Sequence, residues 1–315
     1  MSNTFINDVN EGLSKPNKSL SSKYFYDKIG DAIFVEIMNM PEYYLTNAEM
    51  DIFKNQTQGI ITSLELNPQI PFELIELGAG DGTKTKHLLK KLDENGYDFK
   101  YFPIDISQNA LDQLERSLNT ELPNINVSKQ QGDYFDILAS LKATNTQKVV
   151  LFLGSNIGNL TDDSAKQFIT ELSNVLNTND KVLLGVDLIK PESIVLPAYN
   201  DSQGITKRFN LNLLSRINKE LKANFDIKAF NHIPEYTENE GIARSYLVST
   251  KAQSVTIDEL NKTFTFYEGE KIHTETSRKY NDTILNNILE NSNLEVVTKL
   301  MDSNLYFADY ILKKR

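Results

Sequence analysis

The sequence predicts an α/β protein in which a doubly wound parallel sheet is closed at one edge by an antiparallel hairpin, with a second, α+β domain inserted. Three observations predict it. The apolar run Phe72–Leu77 empties into three glycines ahead of a helical pattern; strand and helix signals then alternate as far as Asp187; and, after a stretch of different rhythm, the chain ends in two strand-like runs joined by a short turn.

The 315-residue chain is long enough for one large domain or two of ordinary size. Its 33 basic and 43 acidic residues leave a net charge of −10. Such a surface disfavours phosphate backbones and anionic membranes, which sets nucleic acid and membrane aside as partners. The absence of cysteine excludes disulfides, thiolate metal sites and a cysteine nucleophile, and the dispersed His87, His232 and His273 give no metal-ligand spacing. The first residues carry no apolar targeting segment and no run is long enough to cross a bilayer, so a cytoplasmic location is expected.

Residues 1–22, rich in Asn, Ser and Lys with little apolar periodicity, read as a loosely held arm. From Tyr24 on, Phe25, Tyr26, Ile29, Ile33, Phe34 and Ile37 fall near helical spacing, and the segment closes at Met40 and Pro41. Aromatics so spaced fit core packing or a lid. Thr46, with Glu49 three residues later, has the form of a capping box for a helix running toward Ser63.

Phe72–Leu77 is the first buried strand, with acids at Glu73 and Glu76, and Gly78, Gly80 and Gly82 follow at alternate positions. Lacking side chains there, the backbone lets a ligand approach main-chain N–H groups at the start of the next helix; an ordinary tight turn is the alternative. A dinucleotide fingerprint needs a glycine where Thr83 stands, so the spacing leans away from NAD. Glu76 suits a cationic or hydroxyl-bearing ligand better than a pyrophosphate, because two close anions repel.

A helix over 85–92 leads to a strand over 99–104 that ends at Asp105, where a carboxylate can accept both ribose O–H groups or cap the next helix. A helix over 108–118 and a short strand over 125–128 precede Gly132, Asp133, Tyr134 and Phe135. Such a group can cover a purine, with Asp133 accepting from an exocyclic amine. A fourth strand over 149–153 exits through the residues GSNIGNL, and Asn156 and Asn159 are site candidates because open α/β sheets bind ligands at the carboxyl ends of strands.

A helix over 162–176 and a strand over 181–186, ending at Asp187, complete the alternation and imply right-handed crossovers. Residues 204–224 read as a long helix and 230–268 as strands, too long a stretch for a crossover and hence an inserted domain. A helix to Asn291 and strands over 296–301 and 306–312 form the edge hairpin. This is the ordering of the class I S-adenosylmethionine-dependent methyltransferases.

The stretches KYFYDKIGDAIFVEI, MPEYYLT, ELGAGDGTKT, YFPIDIS, FLGSNIGNL, LLGVDLIKPE, PAYNDSQGIT and EGEKIHTETSRKY run in this order from about Lys23 onward. Together they resemble the ergothioneine-pathway L-histidine Nα-methyltransferases and their amino-acid N-methyltransferase relatives. The resemblance implies S-adenosylmethionine as cofactor, a small-molecule amino acid as the other substrate, and methyl transfer to its α-amine, with L-histidine the best single candidate. It implies residues 1–50 and 191–278 as the substrate domain, 51–190 as the cofactor-binding core, and 279–315 as the helix and hairpin that complete the core.

By the matching motifs, Glu76, Gly78, Gly80, Lys84, Asp105, Asp133 and Tyr134 surround the cofactor. Tyr26, Tyr43, Asn159 and Tyr199 face the amino acid and hold its carboxylate and amine. Glu275 and Ser277 hydrogen-bond the imidazole, with pairing of Glu275 to Arg278 or Lys279 as the alternative. The chain departs from the family pattern at Ser245, where counting back from Ala252 puts a methionine lining the imidazole pocket, at His273 for an arginine and at Leu45 for a proline. Serine changes pocket volume and polarity, which keeps another aromatic amine open as substrate. From a different class, a non-catalytic cofactor-binding module is the remaining alternative.

Overall fold

The computed structural model describes residues 3–133, 137 and 146–315, and the chain divides into two compact units. One comprises Tyr44–Ile189 and Arg278–Arg315; the other comprises the described residues up to Tyr43 together with Lys190–Ser277. Residues 44–50, expected with the N-terminal segment, go with the first unit.

The first unit is built on a sheet whose strands lie in the order Leu294–Met301, Phe307–Lys314, Lys181–Asp187, Gln147–Phe152, Phe72–Leu77, Phe99–Asp105 and Asn126–Val127, with Gln130–Gln131 also pairing to Phe99–Asp105. Phe307–Lys314 runs antiparallel to both its neighbours, and the other pairings are parallel. This is the class I methyltransferase sheet with its antiparallel edge hairpin. From Phe72–Leu77 the chain moves outward through Phe99–Asp105 and then returns to the other side of Phe72–Leu77 at Gln147–Phe152. Between those two strands the winding reverses, and ligands of open α/β sheets bind outside the carboxyl ends at such a switch point.

Alternate strand residues face opposite layers. Ile75, Leu77, Val150, Phe152, Val182 and Leu184 pack with Phe168 and Leu172 of Asp162–Val175 and with Leu285 and Ile288 of Asp282–Leu289. Phe72, Leu74, Val149, Leu151 and Leu183 pack with Ile52 and Phe53 of Tyr44–Asn55, Ile60 of Thr57–Leu64, Leu88 of Thr85–Glu94 and Leu114 of Gln108–Glu121. Each such side chain contributes about 1.5–3 kcal/mol by leaving water.

The capping box expected at Thr46 does not form. The helix Tyr44–Asn55 starts two residues before Thr46, and Thr57–Leu64 follows as a separate helix. Glu49 is fully buried and turned into the sheet layer, where its carboxylate finds stronger donors than its own helix end offers.

The second unit is α+β. It holds the helices Asn3–Ser14, Lys28–Asn39, Glu192–Tyr199 and Ile205–Leu221, a three-stranded sheet ordered Lys271–Arg278, Ile242–Ser249, Phe230–Thr237, and a hairpin of Gln253–Ile257 with Lys262–Phe266. Its core includes Phe25, Phe209, Leu213, Ile217, Phe230, Leu247 and Phe266. The loosely held arm is corrected here. Phe5, Val9 and Leu13 recur every fourth residue on one face of a helix and are buried, a stripe hidden in the sequence by polar neighbours. The Leu20 N–H donates to the His273 carbonyl at 2.8 Å, and the His273 N–H to the Lys18 carbonyl at 2.9 Å. The aromatics after Tyr24 serve as core: Tyr24 and Phe25 are buried, and Asp27 caps the next helix by accepting from the Gly30 N–H at 2.7 Å. Among the described residues no helix is long and apolar enough to cross a membrane.

Candidate functional site

At the carboxyl end of Phe72–Leu77 the chain is tied to its neighbouring strand: the N–H groups of Gly78 and Ala79 donate to the Ile104 carbonyl at 2.8 and 3.1 Å. Gly80 has a φ of +54°, and nothing lies within 4 Å of where a Cβ would sit, so its backbone is open to an approaching ligand. Its N–H donates to Asp105 Oδ2 at 3.0 Å, while Asp105 Oδ1 accepts the Ser107 N–H at 2.9 Å. Asp105 therefore clamps the glycine turn to the following helix start and remains half-buried at the strand end. The Gly132 N–H donates to the Asp105 carbonyl at 3.0 Å, which brings half-buried Asp133 beside the same strand end. Tyr134 lies outside the described residues.

Glu76 sits beneath the turn. It is buried and accepts hydrogen bonds from Thr85 Oγ1 at 2.6 Å and from the Tyr101 hydroxyl. Burial pushes its carboxyl up to about 7, against the opposing hydrogen bonds from Thr85 and Tyr101. In this position it ties strand to helix as the floor of the turn.

Lys84, at the start of the next helix, pairs with Glu49. The same carboxylate accepts the Gly154 N–H, at 2.8 Å to Oε1 and 3.0 Å to Oε2. Gly154 has a φ of +68°, and a Cβ there would lie 3.7 Å from Lys84 Nζ and 3.9 Å from both side-chain amide atoms of Asn156. A side chain at 154 would fill the space on which an ammonium and an amide converge. The Lys84 ammonium suits a carboxylate, the Asn156 amide oxygen suits an ammonium, and Asp105 suits a diol. The set thus fits the amino-acid end and ribose of S-adenosylmethionine. Asn159 is exposed at the end of the turn Asn156–Asn159, whose Gly158 packs so closely on the Arg278 backbone that a Cβ would lie 2.7 Å from its carbonyl oxygen.

Glu49 was not among the expected site residues. The signal for it was an acid on the apolar stripe Leu45, Ala48, Ile52 and Phe53, which marks a carboxylate forced inward. A surface depression bounded by Phe72, Glu73, Asp98, Lys100 and Asn126 lies at the amino ends of the strands, opposite the switch point, and gathers none of the expected residues.

In the second unit, Tyr26 and Tyr43 both meet Phe34 edge-on, with ring centroids 5.4 and 6.4 Å away. Tyr199 is buried and its hydroxyl donates to Ser277 Oγ at 2.8 Å. Ser245, fully buried on the adjacent strand, donates to Glu275 Oε2 at 3.1 Å. Glu275 and Ser277 share a strand face at alternate positions, with Glu275 half-exposed. Thr274, on the other face, donates to Asn210 Oδ1 at 2.7 Å and the Ser245 carbonyl at 3.1 Å, locking the strand pair. Arg278 pairs with Asp162 at 3.0 Å and Lys279 with Asp187 at 2.8 Å. His273 Nε2 lies 3.1 Å from Thr276 Oγ1, and burial lowers its pKa.

A family model described as histidine-specific, S-adenosylmethionine-dependent methyltransferase matches residues 5–314. The histidine N-alpha-methyltransferase of Mycobacterium tuberculosis is 34% identical over 273 residues, 87% of this chain and 83% of that protein. Ergothioneine biosynthesis protein 1 of Schizosaccharomyces pombe is 30% identical over 305 residues, 94% of this chain and 39% of that longer protein. A solved S-adenosylmethionine-dependent methyltransferase from Clostridium acetobutylicum is 15% identical, with a TM-score of 0.44 over 83% of this chain and 92% of that one. With the family model spanning nearly the whole chain, the protein is an S-adenosylmethionine-dependent N-methyltransferase and belongs to the histidine-specific methyltransferase family.

Proposed function

We propose that this enzyme methylates the α-amine of L-histidine, with the Tyr44–Ile189 unit holding the cofactor and the other unit contributing most of the side chains that hold the amino acid. The observation that carries this reading is the pair of hydrogen-bonded couples on the strand Lys271–Arg278, Glu275 with Ser245 of the neighbouring strand and Ser277 with Tyr199 at the end of the helix Glu192–Tyr199. A carboxylate and a hydroxyl on one strand face are an acceptor and a donor–acceptor suited to the two ring nitrogens of imidazole. The mycobacterial relatives, named histidine N-alpha-methyltransferases, support the same substrate. A net charge of −10 supports the absence of a nucleic-acid partner, and a cytoplasmic location is part of the same reading.

The cofactor supplies an electrophilic methyl group on a sulfonium. Attack by the amine lone pair forms the N–C bond as the C–S bond breaks, so the amine must be neutral and aligned, and positioning carries most of the rate. Tyr26, Tyr43, Asn159 and Tyr199 hold the amino acid's carboxylate and amine, and the nitrogen's proton leaves to solvent. Tyrosine hydroxyls and ring faces stabilise a product that gains permanent positive charge without the tight grip of a counter-ion. Lys84 and Asn156 hold the cofactor's amino-acid end, Asp105 its ribose hydroxyls, and Asp133 its base.

Incubation with methyl-labelled cofactor and a panel of amino acids tests the reading. Saturable labelling of histidine on the α-amine is expected; no labelled histidine at millimolar substrate overturns it. The buried Ser245 favours a second reading, an aromatic amine other than histidine, and the 4-dimethylallyltryptophan N-methyltransferase of Claviceps fusiformis is 28% identical over 207 residues. A higher kcat/KM for tryptophan derivatives in the same panel would select it.

A further inference from the structure

By the alternation of strand residues, Glu76, Gly185 and Asp309 face the largely apolar layer covered by Tyr44–Asn55, in which buried Asp187 is paired with Lys279. Glu49 enters that layer from the helix. Gly185 and Asp309 are partners in register, and a Cβ on Gly185 would collide with Glu49 Oε1 and lie 3.0 Å from Asp309 Oδ1. Two carboxyls therefore occupy the space that a side chain at 185 would take. Asp309 is fully buried, and neither of its oxygens has a hydrogen-bond partner among the described residues. The cation facing this pair is Lys84.

Two buried carboxylates against one ammonium leave a net negative charge in an apolar layer, which is costly enough to draw a proton onto one of them. Burial pushes Asp309 well above the ordinary carboxylate range, the Glu49 charge adds to this, and Lys84 opposes it. Burial is the strongest single influence on the Lys84 ammonium and works against it, but Glu49, with Glu76 and Asp309 adding to it, holds the amine above its ordinary value. The resulting state is one charge pair, Glu49 with Lys84, backed by a neutral Asp309. Within the pair the Glu49 side chain is 1% exposed and that of Lys84 22%, so a ligand meets Lys84 and never touches Glu49.

We propose that Glu49 is a positioning residue for the methyl transfer: by gripping the Gly154 N–H of one switch-point loop it fixes the Lys84 ammonium of the other in the direction that receives the cofactor's amino-acid end. This rests on the reading that the switch point holds the cofactor. An ammonium on a flexible four-carbon stem has no preferred direction of its own, and a carboxylate that also grips the opposite loop supplies one. The single side chain sets both loops at once.

Calorimetric Kd for S-adenosylhomocysteine, measured on Glu49→Gln, Lys84→Met and the double variant, tests the proposal. Glu49→Gln retains an acceptor for the Gly154 N–H and loses the charge that holds Lys84; its Kd is expected to rise about tenfold. Because Glu49 acts through Lys84, adding Glu49→Gln to Lys84→Met is expected to raise the Kd less than twofold further, the non-additivity of coupled sites. A full additional tenfold loss in the double variant overturns the proposal, since a merely structural role adds independently. An unchanged Kd in Glu49→Gln beside a loss in Lys84→Met overturns it alone, whereas an unchanged Kd in Lys84→Met overturns the cofactor-site reading as well. Should Glu49→Gln not fold, Glu49→Asp, which keeps the charge and withdraws it by one methylene, is read by the same comparison.

Discussion

The two units of this chain present their polar groups in opposite ways. Around the switch point of the sheet, side chains serve the backbone: Asp105 holds the Gly80 and Ser107 amides, and Glu49 the Gly154 amide. On the strand Lys271–Arg278, side chains hold one another, as Ser245 holds Glu275 and the helix-end Tyr199 holds Ser277. A surface built from main-chain N–H groups keeps its chemistry whatever the side chains around it do, which suits a cofactor that never changes. A substrate site built from side chains, as proposed around Glu275, is rewritten by a single substitution, such as one at Ser245.

The largest expected effect tests how far the sheet unit depends on a buried carboxyl. Glu76 has its folded pKa raised from about 4.5 to about 7 by burial, so the folded state binds the proton more tightly than the unfolded chain. Stability from this group is present in acid and is lost as pH rises from about 4.5 through 7, a decline of about 3 kcal/mol. Glu76→Gln should flatten that segment of the stability–pH curve, measured by urea unfolding at pH 5 and pH 8; an unaltered curve would place the proton elsewhere. Next, Asp105→Ala removes two charge-assisted bonds to main-chain amides and should raise the cofactor Kd about a hundredfold while leaving the amino-acid KM within twofold. Calorimetry and steady-state kinetics read the two separately.

In the side-chain-built pocket the pattern should invert. Glu275→Ala is expected to raise the amino-acid KM about tenfold with cofactor affinity nearly unchanged. Equal loss of cofactor binding in Asp105→Ala and Glu275→Ala would erase the contrast between the units. The smallest effect belongs to Ser245→Ala, which removes one hydroxyl donor from Glu275 and should raise the KM about threefold, because one neutral-to-charged hydrogen bond is removed while the carboxylate stays half-exposed. A drop in KM for tryptophan derivatives in this variant would sharpen the specificity role of that position.

Much of the architecture was legible because its signals are local. Phe72–Leu77 with Gly78, Gly80 and Gly82 announces strand, turn and helix start, and the closing hairpin announces the sheet's reversed edge. The helix Asn3–Ser14 was hidden because its apolar stripe is only three residues, Phe5, Val9 and Leu13, within a polar composition. The capping box at Thr46 misled because local pattern ranks an acid three residues on as a cap, whereas a carboxylate takes whichever donors the tertiary structure brings nearest.

The sequence by itself determined the alternation of strands and helices from Phe72 to Asp187, the glycine turn, the asparagine loop and the acid at the end of the second strand, since each depends on neighbours a few residues away. Only the tertiary structure decided that Glu49 spans the two loops of the switch point, that Glu76 lies under the turn with Tyr101, and that buried Asp309 has no hydrogen-bond partner among the described residues. Those facts depend on burial and on charges distant in the chain, and both exist only once the sheet has closed over them.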